Sequence, residues 1–215
     1  RDVEGVIRNE DFKGEIKGEF RYEAEGRALT GRVESLADLH LLIPLLQTWD
    51  MPFAIELIER FSFTQAPRCE SEFRRTYGAA DAFHMQTRFS FENGTYRGVP
   101  VKRSDGQVVM DFSPTNSTVQ ADPVMIVRPE GTIKGAFTVD GERRTVSVDA
   151  ESSIDIKALS RLTGVLTNGV LDSFTFDGPV RVEARGHTTY NDYSDTDLNV
   201  DVEGRKVAWG PLVAE

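Results

Sequence analysis

The stretch Gly14-Glu15-Ile16-Lys17-Gly18-Glu19-Phe20 returns as Gly131-Thr132-Ile133-Lys134-Gly135-Ala136-Phe137. Each copy runs on into a turn with a glycine (Gly26, then Gly141) and a short return strand. Thr30 and Val33 then answer Thr145 and Val148, with a short gap at the turn. Both copies next reach an aspartate that opens an apolar helical spacing: Asp38, Leu39, Leu42, Leu45 against Asp155, Ile156, Leu159, Leu162. The repeat is a strand–turn–strand–helix unit over about 12–46 and 130–165. Such units cannot bury their apolar side alone and stack into an extended sheet. Sheets of that kind bind or scaffold more often than they catalyse.

Around this core the pattern is strand-like. Ile16, Gly18, Phe20, Tyr22 and Ala24 alternate with Glu15, Lys17, Glu19, Arg21 and Glu23, the period of two of a strand with one apolar and one charged face. Asp38 can cap a helix, and 38–60 reads as a helical insert with Leu39, Leu42, Ile43, Leu45 and Leu46, then Pro52 and Phe53, Ile55, Leu57, Ile58 and Phe61. Residues 68–77 fit a strand or a third helix. Asn93-Gly94 is a hairpin-turn signal, with strand 96–101 after it, a second turn at Ser104-Asp105-Gly106, strand 108–112, and a loop with one short strand over 114–129. Further strands are expected at 171–176, 180–185 and 198–202. The fold expected is α+β and strand-dominated. A curved antiparallel β-sheet of repeated hairpin units carries a few helices on one face or end, in one domain, 1–215.

Composition bounds the function. The 215 residues hold 39% hydrophobic and 28% charged side chains, ordinary for a globular chain able to bury a core. A net charge of −10 argues against nucleic acid and against electrostatic docking on anionic headgroups. Cys69 is the one cysteine, so no internal disulfide forms. The longest apolar run, 39–46, is far short of the ~20 residues of a membrane helix. The start at Arg1, without a signal peptide, reads as a processed protein or an excised segment of a longer one.

No phosphate loop, dinucleotide fingerprint, Gly-x-Ser-x-Gly elbow or His-Glu-x-x-His is present. His40, His84 and His187 are scattered over unrelated elements, which favours ordinary histidines over a shared site. Asp192, Asp195, Asp197 and Asp201 offer oxygen ligands for a hard cation. They fail the spacing of a calcium loop: in a loop starting at Asp192 the glycine position falls on Asp197, and in one starting at Asp197 the glutamate position falls on Ala208. The alternation of Asp195, Asp197, Asn199 and Asp201 fits a solvated strand face that blocks strand addition. Glu56 and Glu59 share a helix face and read as solvated. Asn93-Gly94-Thr95 and Asn116-Ser117-Thr118 match the glycosylation acceptor pattern, and Cys69 reads as a structural thiol. No metal or cofactor is expected. The apolar strand positions Ile16, Phe20, Phe89, Phe91, Phe137, Val139, Phe174 and Phe176 are either the core under a sheet or the lining of a groove for acyl chains.

The segment Phe89 to Pro100, the strand 108–112, the Gly131–Phe137 motif and 155–164 resemble the C-terminal region of AsmA-like proteins, envelope proteins of Gram-negative-type bacteria. The similarity covers roughly 85–170, and the repeat extends it to 12–46. The resemblance implies a long, curved, repetitive β-sheet with a hydrophobic groove, behind a membrane helix that would lie outside this segment. It implies a periplasmic or cell-envelope location and a part in moving phospholipid or in outer-membrane biogenesis. It carries over no catalytic residue. The function expected is therefore a non-enzymatic envelope protein segment for lipid binding or transfer, with phospholipid or another envelope lipid and envelope proteins as partners. The alternatives are a carbohydrate-handling or hydrolytic β-domain using the acidic cluster near 192–201, and a structural scaffold module.

Overall fold

A computed structural model describes residues 3–9, 14–48, 52–78, 81–163, 174–176, 178, 180–189, 195–205, 207–209 and 212–214. The strands are β1 (Val3–Asn9), β2 (Gly14–Glu23), β3 (Ala28–Ala37), β4 (Phe61–Phe63), β5 (Arg68–Thr76), β6 (Ala82–Tyr96), β7 (Val99–Ser113), β8 (Asn116–Arg128), β9 (Gly131–Asp140), β10 (Thr145–Ser152), β11 (Phe174–Phe176), β12 (Arg181–Thr189), β13 (Thr196–Glu203), β14 (Val207–Trp209) and β15 (Leu212–Ala214). Two helical excursions interrupt them. A 3-10 turn (Leu39–Leu42), α1 (Ile43–Thr48) and α2 (Pro52–Glu59) follow β3, and α3 (Ile156–Thr163) follows β10. The fold is strand-dominated α+β: one curved, open antiparallel sheet in the order β1-β2-β3-β5-β6-β7-β8-β9-β10-β12-β13, with β4 added to β6. A small second sheet holds β11, β14 and β15.

Strand registers define the repeat. Ile16↔Ser35, Lys17↔Glu34 and Phe20↔Gly31 in β2–β3 become Ile133↔Ser152, Lys134↔Glu151 and Phe137↔Val148 in β9–β10, a shift of 117 on both strands. No gap is needed. The expected match of Thr30 with Thr145 is corrected to Ser147, and that of Val33 with Val148 to Ala150. Gly26 and Gly141 hold different places in the two four-residue turns, Ala24 to Arg27 and Gly141 to Arg144. The shared feature is the last turn residue, Arg27 or Arg144, at φ 45° and 56°.

The correspondence then continues at a shift of 113, the second excursion being four residues shorter. Cys69↔Phe89 becomes Val182↔Val202, Phe61↔Tyr96 becomes Phe174↔Trp209, and Tyr96↔Val99 becomes Trp209↔Leu212. Ahead of the hairpin, Asn9↔Ile16 becomes Ile126↔Ile133. So β8 to β15 restate β1 to β7, with β13 and β14 together taking the place of β6.

Three local expectations are corrected. Asn93-Gly94 is not a turn; it lies inside β6, and the hairpin closes at Arg97 and Gly98, both at positive φ (50° and 73°) as a two-residue turn requires. Gly94 is there because β4 crosses it: an added Cβ would lie 2.8 Å from the Ser62 carbonyl oxygen. Ser104-Asp105-Gly106 is likewise inside β7, where the register shifts between Gly106 and Val108. The loop expected over 114–129 is the thirteen-residue strand β8. Its Pro123 falls in the irregularity between Ala121 and Val124, a place where a sheet tolerates proline. The open choice over 68–77 resolves to strand β5.

Both excursions leave the sheet in the same way. Asp38 accepts a hydrogen bond from His40 N–H at 3.0 Å, and Asp155 accepts from Lys157 and Ala158 N–H, both at 3.0 Å. The best-buried cluster sits beneath the second excursion, where Ile154, Ala158 and Leu162 pack with Val99 and Ile133 and against Tyr96, Ile126 and Leu159. Burying an Ile or Leu side chain contributes about 1.5–3 kcal/mol, so this end of the sheet is the firmest.

Candidate functional site

Residues directly opposite in adjacent strands share a face, so the registers can be read straight across the sheet. One row runs Phe20, Gly31, Phe73, Met85, Met110, Val119, Val139, Val146, Thr188. Its neighbour runs Gly18, Val33, Ser71, Thr87, Val108, Ala121, Phe137, Val148, Gly186, Leu198. A third runs Ile16, Ser35, Cys69, Phe89, Gly106, Val124, Gly135, Ala150, Ala184, Val200. None of these positions carries a charge. The opposite face carries Glu19, Arg32, Glu72, Gln86 in one such row and Lys134, Glu151, Glu183, Asp201 in another. Period-two alternation in each strand, kept in register across the sheet, has sorted the chain into one apolar and one charged surface.

Among the described residues, little covers the middle of the apolar face. Phe20, Phe73, Met85, Met110, Phe137 and Val139 are all only half-buried. Aromatic rings lie over glycines within the face: an added Cβ on Gly31 would meet the Phe73 ring at 2.6 Å, and one on Gly106 the Phe89 ring at 3.1 Å.

The end under the first excursion is closed by an aromatic plug. Phe61 lies 5.7 Å from Phe91 and 4.7 Å from Tyr96, ring centre to ring centre, and Phe63 lies 5.2 Å from Phe91. Such pairs add about 0.5–1.5 kcal/mol each beyond area burial. Arg60 stands beside the plug; its guanidinium is held above its ordinary value chiefly by a hydrogen bond to Tyr96, with Glu56 adding to it. Glu56 is thus an exposed partner of Arg60.

The expected groove residues divide three ways. Ile16, Phe20, Phe89, Phe137 and Val139 lie on the half-buried apolar face. Phe91 is 7% exposed and belongs to the plug. Phe174 and Phe176 are on β11 of the small sheet, paired with Trp209 and Val207, and correspond to Phe61 and Phe63. Met85, Met110 and Phe73 share the face but were not singled out from the sequence. Met85 is in phase with Phe89 along β6, Met110 is inside the expected strand 108–112, and Phe73 is in the stretch 68–77 that fits a strand or a helix.

The polar groups are dispersed. His40, His84 and His187 each stand beside their own aspartate: Asp38 at 2.6 Å, Asp111 at 2.6 Å and Asp195 at 3.6 Å. They lie on three different elements. Asp197 and Asp201 are exposed on β13, and Asp192 lies outside the described residues. Among the described residues no group of three or more His, Cys, Asp or Glu side chains is placed to hold a metal ion. No described helix is long and apolar enough to cross a membrane.

A cleft of about 470 Å³ between β9, β10 and β12 is lined by Thr132, Glu151, Ser152, Ser153, Arg181 and Glu203 among others. Its serines have structural work: Ser152 Oγ accepts from Ile154 N–H at 3.3 Å, and Ser153 Oγ accepts from Thr132 N–H at 3.0 Å. A smaller hollow of about 210 Å³ holds His84, Asp111 and Arg74. Cys69 is buried on the apolar face, and burial pushes its thiol up to about 11, which suppresses the thiolate a nucleophile needs. Comparison with known protein families, with curated proteins and with solved structures finds no match.

Proposed function

We propose that the chain is a non-enzymatic lipid-binding segment of a bacterial envelope protein. It takes the acyl chains of phospholipid or another envelope lipid on the apolar face, for transfer or for outer-membrane biogenesis. The observation that supports this reading is the uncharged surface running from β2 to β13, half-exposed through its middle and closed at one end by the aromatic plug and α3. A contiguous apolar surface of that extent marks an interaction site. Acyl chains suit it, since burial supplies about 0.8 kcal/mol per CH₂ and needs no charged partner. The charged opposite face and the net charge of −10 keep the sheet in water without drawing anionic headgroups. The periplasm as its location is part of the same proposal, taken from the resemblance to AsmA-like proteins.

The test is uptake of a fluorescent phospholipid by the purified chain, with native mass spectrometry of protein expressed in bacteria. Saturable binding that weakens in Phe89→Ser and Met110→Glu, both still folded, supports the proposal. No uptake in either assay overturns it and leaves the scaffold module as the better reading.

A further inference from the structure

Arg75 puts a charge on the apolar face at one end. It stands two residues on from Phe73 along β5, so it shares that face, in a row that runs Tyr22, Leu29, Arg75, Phe83, Phe112, Ser117. The row lies beside the turn between β5 and β6, at the far end of these strands from the aromatic plug. The three uncharged rows lie between it and the plug. The repeat shows that the sheet does not require a cation there. Thr188 takes the place of Arg75 in the second copy, with Val146 for Leu29 and Thr196 for Phe83, and its hydroxyl lies 2.8 Å from that of Thr196.

The hydrogen bonds of Arg75 are incomplete. Nη2 donates to both carboxylate oxygens of Asp81 at 3.2 Å, across the turn, and the guanidinium lies over the Tyr77 ring, 5.5 Å from its centre. The Nε–H is buried and has no acceptor among the described residues. A buried donor without a partner is costly, and in a folded chain it marks a place for a water, an ion or a ligand. The side chain is nonetheless 31% exposed, so the guanidinium can be approached from outside. Arg27 brings a second guanidinium to this corner: its Nη1 lies 3.5 Å from where a Cβ on Gly78 would stand.

We propose that Arg75 holds the phosphate of a zwitterionic phospholipid whose acyl chain lies along the strands toward the plug. This inference rests on the reading of the apolar face as a lipid site and adds where the headgroup sits. The planar guanidinium matches phosphate oxygens. Tyr77, exposed beneath it, is the kind of side chain that suits a boundary with one apolar and one wet side. From Phe83, beside Arg75, to Phe91 in the plug, β6 rises about 26 Å at ~3.3 Å per residue. One leaflet of bilayer hydrocarbon is about 15 Å thick, so an acyl chain fits between them. The net charge of −10, with Asp81 beside the arginine, disfavours a headgroup that is anionic overall. The phosphate that suits the site is one balanced by its own ammonium.

The experiment compares two probes with the same acyl chains and the same acyl-chain fluorophore: phosphatidylethanolamine, and diacylglycerol, which lacks the phosphate. The wild-type chain is expected to bind the phospholipid at least tenfold more tightly. Arg75→Thr, the residue that the second copy carries there, is expected to lose that preference and keep its affinity for diacylglycerol. Asp81→Asn breaks the same ion pair but leaves the guanidinium, and is expected to keep the preference. Equal binding of the two probes by the wild type, a preference that survives Arg75→Thr, or the same loss in both variants each overturns the headgroup site and leaves the lipid reading standing. The last of these would make Arg75 a clip for the turn. Binding of neither probe by the wild type overturns both.

Discussion

Ser35 and Ser152 do the same work 117 positions apart. Each side-chain oxygen accepts a hydrogen bond from the backbone N–H two residues on, Ala37 and Ile154 respectively, both at 3.3 Å. The bond holds the chain where it stops pairing in the sheet and turns into an excursion, one residue before the capping aspartates Asp38 and Asp155. Ala37 is 2% exposed and Ile154 is fully buried. The site where the strand becomes a helix is therefore a conserved geometry within the molecule, built from a hydroxyl, a buried apolar residue and a carboxylate in sequence order.

Ser152→Ala is expected to destabilise the chain by about 1–2 kcal/mol, because it leaves the N–H of the buried Ile154 without its acceptor. Ser35→Ala is expected to cost less, since water can reach that more open position. Urea unfolding of the two variants measures the difference. Equal and negligible effects would show that the bond is incidental to the turn.

Phe89 and Phe91 are two residues apart on one face of β6, yet they should respond differently to substitution. Phe91 is buried among Phe61 and Phe63, so Phe91→Ala is expected to cost about 3–5 kcal/mol, the range for a buried aromatic. Phe89 is half-buried, and Phe89→Ala should cost less than half as much. Thermal unfolding gives the ranking, and an inverted order would mean that the apolar face is covered in solution.

How far the sequence could be read depended on which physical signal each element carried. The β2 and β9 hairpins were legible because alternation and the shared Gly-x-Ile-Lys-Gly-x-Phe motif agree. The long strands β7 and β8 were not. Ser104-Asp105-Gly106 reads as a turn and 114–129 as a loop, whereas in the sheet the Phe89 ring fills the space above Gly106 and Pro123 falls in a bulge. The true extent of the repeat was also present in the sequence: Phe61-Ser62-Phe63 and Arg68-Cys69-Glu70 are answered by Phe174-Thr175-Phe176 and Arg181-Val182-Glu183. The excursion, shorter by four residues, moves that match from a spacing of 117 to one of 113. Alternation within single strands pointed to Ile16, Phe20, Phe89, Phe137 and Val139, but the continuity of their face from β2 to β13 could not be read, because it exists only once the register of every strand is known.

Gly186→Ala tests the junction of β12 with β13. Gly186 has φ of 137°, and an added Cβ would overlap the carbonyl oxygen of Asp197 on the neighbouring strand. Backbone strain of this type costs about 1–3 kcal/mol by itself, and the overlap adds to it. The expected outcome is loosening of β13 from the sheet, seen as faster hydrogen exchange at 196–203 while β6 and β7 keep their protection. Unchanged exchange at 196–203 would show that the edge strand adjusts freely.

Cys69 sets a pH limit on stability. Its register partners are Ser35 and Phe89 on the apolar face, and burial raises its thiol from 9.0 to about 11. The folded chain therefore holds this proton more tightly than the unfolded chain. The contribution is fully present below pH 9. It is lost as pH rises toward 11, because the unfolded thiolate forms first and draws the equilibrium toward unfolding. A shift of this size corresponds to about 2–3 kcal/mol across that window. Lysines and tyrosines titrate in the same range, so the informative quantity is the difference between the wild type and Cys69→Ala, in which their effects cancel. The wild type is expected to lose stability more steeply than the variant between pH 9 and 11, and to react slowly with a thiol reagent at pH 8 until it is unfolded by urea. Parallel pH profiles, together with rapid labelling of the folded chain, would place Cys69 in water and the apolar face in a different arrangement from the one described.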